Sequence, residues 1–275
     1  MSAETGLVRA LTRERWIVGA CLALACLFAW SWLFWQARQM SEPPAAMGDM
    51  GGMAAMATMG PAPGTIAYMA SAFMMWALMM VAMMLPSAAP MILAYVRISG
   101  DTRREAGALV PSFLFAGLYL AMWTAFALVA ATVQSLLAQA GAISAAKLAV
   151  GDARLASVLL IAAGLYQLTP IKRACLAQCR SPASFLMREW RPSWGGSIRL
   201  GILHGLYCMG CCWLLMALLF IGGVMNLAWV ALLAASVLAE RVLPIGERAA
   251  LAIGGLAIAA GFAVLLAPDL IGLRT

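Results

Sequence analysis

Two sets of soft sulfur side chains in this sequence have spacings that could hold a metal ion. The first is "AAMGDMGGMAAMATMGPAPG", residues 45–64, with Met47, Met50, Met53, Met56 and Met59 at a constant step of three. That step matches neither the 3.6-residue period of a helix nor the two-residue period of a strand. The glycines and prolines around it argue against a packed element. The next apolar stretch continues the sulfurs. Met75, Met79 and Met83 lie at i, i+4, i+8, and Met80 and Met84 share a second line with Trp76. Fourteen of the 20 methionines fall between residues 40 and 91. Thioethers are neutral, soft ligands that suit Cu(I) rather than Mg, Ca or Mn, and they need no deprotonation. Trp76 offers a bound cation a π face. The plainer alternatives are adaptable packing by methionine and, for the loop, a linker of biased composition.

The second set lies in "LHGLYCMGCCWLLMALL" (203–219). Here His204 and Cys208 are i, i+4, and Cys208 precedes Cys211 by three residues and Cys212 by four. On a helix His204, Cys208 and Cys211 share one side, with Cys212 at its flank. Imidazole plus thiolate is a strong soft-metal set, and His204 is the sole histidine. Gly201, Gly205 and Gly210 let a neighbouring helix approach that side. Against this stand buried cysteines acting as small apolar residues, and a Cys-x-x-Cys redox pair. Cys175 and Cys179, flanked by Lys172, Arg173 and Arg180, fit a hand-over site, because nearby cations favour the thiolate. Their plainer reading is a basic loop with incidental cysteines. Gln134, Gln167 and Asn226 are expected to bond neighbouring helices together, and Glu240 and Arg241 to form a solvated interfacial pair. Pro86 and Pro90 are expected to kink their helix and free backbone carbonyls.

The elements that must position these groups are transmembrane helices. The chain is 64% hydrophobic and 11% charged, where a soluble domain carries about 25% charged residues. Seven apolar stretches, at about 16–36, 66–96, 108–139, 154–171, 199–223, 226–243 and 248–268, approach or exceed the roughly 20 residues of a spanning helix. The first is too long for a signal peptide and reads as an anchor. With the N-terminus inside, 14 of the 18 Lys and Arg residues are cytoplasmic, in keeping with the positive-inside rule. The net charge of +7 therefore reports topology rather than nucleic-acid binding.

The expected class is an all-α polytopic bundle of about seven transmembrane helices, N-terminus in and C-terminus out. Residues 1–15 form a cytoplasmic segment, 16–36 the first helix and 37–65 an extracytoplasmic Met-rich loop. A six-helix core follows at 66–268, with a cytoplasmic Cys-containing loop at 172–198, and 269–275 form a tail. Seven cysteines, an odd number divided between spans and cytoplasm, do not make a secreted disulfide framework. Phosphate-binding and hydrolytic motifs are absent from the sequence, so an enzyme is not expected.

Three stretches, "WALMMVAMMLPSAAPM" (76–91), "YQLTPIKRACLAQCRSP" (166–182) and "GLYCMGCCWLLMALLFIGGVMNLAWVALL" (205–233), resemble a bacterial family. It is the predicted metal-binding integral membrane proteins termed domain of unknown function 2182. The resemblance spans roughly 66–241 and places Trp76, Met80, Met83, Met84, Pro86, Cys175, Cys179, Cys208, Cys211 and Cys212 in shared motifs. The expectation is a Cu(I)-handling transporter or membrane copper chaperone of the bacterial inner membrane. The outer Met-x-x-Met loop would collect the ion, the methionines of the second span would relay it to His204, Cys208, Cys211 and Cys212, and Cys175 and Cys179 would meet an acceptor. Expected partners are the lipid bilayer, a copper-donating or copper-accepting protein, and further copies or subunits of a membrane complex. A transmembrane thiol–disulfide electron carrier and a scaffold subunit of a membrane complex are the alternatives.

Overall fold

The computed structural model describes residues 2–41, 61–102, 109–143 and 148–267. The methionine run Met47, Met50, Met53, Met56 and Met59 and the tail from residue 268 lie outside the described residues. Among the described residues the structure is all-helical, with one isolated bridge between Ile143 and Val150 and no strand. In chain order the helices are α1 (Ser2–Ser41), α2 (Ile66–Thr102), α3 (Leu109–Gln139), α4 (Ala153–Leu168) and α5 (Pro170–Arg180). They continue as α6 (Pro182–Glu189), α7 (Trp194–Ala217), α8 (Leu219–Gly222), α9 (Leu227–Val242) and α10 (Gly246–Leu266).

Among the described residues five segments are long and apolar enough to cross a bilayer: Arg13–Gln39, Ile66–Gly100, Leu109–Gln139, Trp194–Gly222 and Gly246–Leu266. A sixth is the pair α4–α5, bent by 65°. The stretch 226–243, expected as another span, is the 16-residue α9. At 1.5 Å per residue α9 covers about 24 Å, short of the roughly 30 Å hydrocarbon core. The α4–α5 bend is written into "LTP". Pro170 disfavours helical geometry at the residue before it, and Thr169 is accordingly extended (φ −70°, ψ 147°). Its hydroxyl accepts the Lys172 N–H at 3.2 Å and so caps the helix that follows.

Proline chemistry also ties α1 to α2. Pro86 has no N–H, so the carbonyl four residues earlier, on Ala82, lacks its helical partner. Trp30 Nε1 of α1 donates to that oxygen at 3.1 Å. Between α3 and α7 the glycines work as their spacing implied. A Cβ at Gly201 would stand 2.7 Å from the Phe115 carbonyl oxygen, and one at Gly205 would stand 2.7 Å from Met122 Cγ. Without side chains at these positions the two helices close until backbone meets backbone, a packing mode suited to lipid, where no hydrophobic effect pulls helices together.

The stretch expected as a cytoplasmic loop, 172–198, instead contains α5, α6 and the start of α7. Helix α5 buries Lys172, Leu176 and Cys179, at i, i+4, i+7, against the bundle. Glu240 and Arg241 also depart from expectation. They are not a solvated pair; both are buried, 1% and 5% exposed. Glu240 Oε2 accepts from Lys172 Nζ at 2.6 Å, and Glu240 Oε1 accepts from Gln167 Nε2 at 2.7 Å. That ion pair, with Lys172 fully buried, links α5 to α9. Gln167 thus bonds neighbouring helices as expected, whereas Asn226 caps α9 by accepting the Trp229 N–H at 3.2 Å.

Removing one member of this pair strands the other charge in the bundle. Lys172→Met is expected to cost about 3–5 kcal/mol, while Lys172→Met combined with Glu240→Leu recovers most of the loss. Thermal unfolding of the two variants in detergent measures the difference.

Candidate metal centre

The sulfur cluster is built on α7. Its apolar sequence keeps the helix continuous through the bundle, and the 3.6-residue turn brings Cys208, Cys211 and Cys212 to neighbouring positions. All three are buried, at 1% exposure or less. The thiols of Cys211 and Cys212 donate back to the Cys208 carbonyl, at 3.1 and 3.0 Å, as small polar side chains in helices do.

Three other helices add to the cluster. From α2, Met84 Sδ lies 4.0 Å from Cys212 Sγ. From α5, the buried Cys179 comes within interaction range of Cys211, and Cys175 packs over Gly210, its Sγ 3.0 Å from where a Cβ there would stand. Tyr166 OH donates to the Gly210 carbonyl and holds α4 to the same turn. From α3, Trp123 Nε1 donates to Cys208 Sγ at 3.2 Å, and Tyr119 OH shares a hydrogen bond with the same sulfur at 3.0 Å.

Helix α9 supplies the feature that the sequence reading dismissed. Arg241 Nη2 lies 2.9 Å from Cys208 Sγ, 3.2 Å from Cys211 Sγ and 3.4 Å from Cys212 Sγ. It also donates to the Cys208 carbonyl at 3.2 Å, and Nη1 donates to Ser87 Oγ at 2.8 Å. A guanidinium nitrogen therefore sits where the three sulfurs face one another. Among the described residues no three His, Cys, Asp or Glu side chains are already disposed around one ion position. A metal ion must share these sulfurs with the guanidinium or displace it.

His204 stands one turn before Cys208, 2% exposed. Neither ring nitrogen has a hydrogen-bond partner among the described residues. Three rings enclose it: Tyr119 at 5.1 Å, Phe185 at 5.8 Å and Phe115 at 5.9 Å between centroids. Burying an imidazole without partners is costly, and His204 bears that cost one helical turn from Cys208.

The methionines of α2 lead towards this cluster. Met75, Met79, Met80, Met83 and Met84 are all buried, at 3% exposure or less, whereas Met74 faces outward at 52%. The helix rises about 22 Å between Met69 and Met84. At its start, Gly64, Met69, Ser135 and Gln139 line a cavity of about 300 Å³. Trp76 flanks this ladder rather than the cysteines. Its Nε1 donates to Gln134 Oε1 at 2.7 Å, and its ring meets Phe220 at 5.2 Å. Gln134 also donates to Tyr68 OH at 3.2 Å, so it bonds helices together as expected.

The structure thus brings together Met84, Cys179, His204, Cys208, Cys211 and Cys212, with Cys175 alongside. Sequence reasoning missed Ser87, Tyr119, Trp123 and Arg241. Tyr119 and Trp123 carried a signal in their i, i+4 spacing. An arginine inside an apolar stretch was itself a signal, since such charges are rare in membranes and face the bundle interior.

Over residues 73–264, more than half of its length, the chain matches the PpoB2 family, described as copper chaperone. That range overlaps most of the stretch covered by the sequence resemblance. Comparison with the curated proteins and with the solved structures finds no match. Thiolates and thioethers are the ligands that select soft copper ions, so the residues of the cluster fit the ion in that description. Arg241 and every sulfur around it fall inside the matched range, and the chain is a member of the PpoB2 copper chaperone family.

Proposed function

We propose that this protein is a membrane-embedded Cu(I) carrier, which receives the ion on one side of the bacterial inner membrane and holds it at the α7 cysteines for delivery to a partner protein. The observation that carries this reading is the convergence of sulfurs from α2, α5 and α7 beside an orphaned, buried histidine, in a chain of a copper chaperone family. Copper is cargo here and the protein performs no bond chemistry on it. Cys208, Cys211 and Cys212 are the thiolate ligands, and Met84, Cys179 and His204 stand within reach to complete or exchange the shell.

The ion enters along thioethers. Met47, Met50, Met53, Met56 and Met59 capture it, and the buried Met75, Met79, Met80, Met83 and Met84 pass it inward. Thiolates bind Cu(I) more tightly than thioethers, so this order of ligands runs downhill towards α7. Cys175 and Cys179 serve the same centre from the α5 side, where an accepting protein would draw the ion out. The orientation that goes with this path is N-terminus in and C-terminus out. It counts the α4–α5 pair as one crossing and α9 with its flanking residues as another. Setting aside the buried Lys172 and Arg241 leaves the excess of positive charge on the same side.

The purified full chain is expected to hold Cu(I) in a sulfur-dominated environment by X-ray absorption. Cys208→Ser and Cys211→Ser are expected to weaken binding by roughly a hundredfold, as measured against a chromophoric Cu(I) chelator. Deleting residues 45–60 is expected to slow loading while leaving the affinity of the centre intact. Unchanged affinity in both cysteine variants would overturn the reading.

His204→Phe separates ligation from packing. Phenylalanine fills the aromatic cage without orphaned nitrogens, so the copper-free protein is expected to gain about 1–3 kcal/mol. Cu(I) affinity is expected to fall about tenfold. Unfolding of the copper-free protein and chelator competition give the two readouts.

A further inference from the structure

The charges buried around the cysteines do not balance. Among the described residues Glu240 is the sole buried carboxylate, and it is committed to Lys172 at 2.6 Å and to Gln167 at 2.7 Å. That leaves the Arg241 guanidinium as a fixed positive charge with no carboxylate of its own. It touches all three sulfurs, at 2.9–3.4 Å, and Ser87 tethers its other nitrogen at 2.8 Å. Any ion bound to these sulfurs sits within a few ångströms of that charge, in a medium that screens it poorly.

We infer that Arg241 sets the valence selectivity of the centre: it admits monovalent soft ions and disfavours divalent ones. This rests on the copper-site reading above and deepens it. The repulsion between guanidinium and ion is proportional to ion charge, so a divalent ion pays it twice over for the same ligands. With the same thiolates bound, replacing a monovalent ion by a divalent one removes one unit of negative charge from the complex that faces the guanidinium, and so weakens the pairing of that buried cation. Geometry acts in the same direction. Zn²⁺ requires four ligands in a tetrahedron, and Nη2 covers one side of the sulfur triad, where a further ligand would have to enter. Three cysteines and a histidine on one helix would otherwise be a strong zinc set. The arginine explains how such a set is kept for copper.

The probes are Ag(I), a redox-inert monovalent soft ion, and Cd(II), a divalent one, each titrated into the purified full chain in detergent. The readout is the ratio of their affinities, in which any general effect on the thiolates cancels. Arg241→Gln is expected to shift the ratio towards Cd(II) by at least about tenfold, and Arg241→Lys to leave it near the wild-type value. Ser87→Asp places a carboxylate against the guanidinium without removing it. It is expected to shift the ratio in the same direction, which keeps the test valid if Arg241→Gln does not fold. An unchanged ratio in both Arg241→Gln and Ser87→Asp overturns the inference while leaving the copper site standing. A wild-type protein that binds Cd(II) as tightly as Ag(I) also overturns it. Wild-type protein that binds neither ion overturns the copper-site reading itself.

Discussion

A guanidinium buried inside a helical bundle has to find acceptors within the protein for its N–H donors, because leaving a buried charged group without partners is costly. Arg241 finds them on two helices, at Ser87 of α2 and at the sulfurs and Cys208 carbonyl of α7. The relative position of α2, α7 and α9 is fixed by that requirement. Shift any one by a turn, and a buried charge loses its partners. Breaking a buried charge arrangement is strongly destabilising, so the cluster and the packing around it hold each other in place.

The rest of the bundle secures this arrangement. Lys172–Glu240 holds α5 to α9 one residue from Arg241, which keeps Cys179 next to Cys211. The close α3–α7 contact at Gly201 and Gly205 brings Tyr119 and Trp123 onto Cys208. Trp30 on the Ala82 carbonyl fixes α1 against the methionine helix. Each of these ties answers a local demand, an unpaired carbonyl or an uncompensated charge, and the sum of the answers is a single sulfur-lined centre. His204 and Arg241 are the exceptions: both imidazole nitrogens and the Arg241 Nε–H have no hydrogen-bond partner among the described residues, and the surrounding packing bears the cost of burying them.

Copper(I), the cargo we propose, would account for this arrangement. It is soft and carries a single charge, so it needs few sulfur ligands and no acidic residue. A centre made of thiols, a thioether and an imidazole around a resident cation suits such an ion. A hard or strongly charged ion would meet too few oxygens and too much positive charge.

The all-helical class, the long apolar helices and the cysteine stripe of α7 were legible in the sequence, because composition and a 3.6-residue period record local demands. So were the small-residue contacts at Gly201 and Gly205, whereas the break at Thr169–Pro170 falls inside a stretch expected as one span, 154–171. The lengths of the helices were less legible, since the apolar stretch 226–243 holds a helix of only 16 residues. The partners of Glu240 and Arg241 were not legible, although an arginine inside an apolar stretch already pointed to the bundle interior. Adjacent in sequence and opposite in charge, the two residues look like a pair, yet on a helix i and i+1 point apart. Each reaches a different partner, Lys172 or the sulfurs, on helices distant in the chain. The sequence by itself determined which side chains could bind a soft ion. Only the tertiary structure decided that a buried arginine stands among them, because charge balance inside a bundle is settled between helices and leaves no period along any one of them.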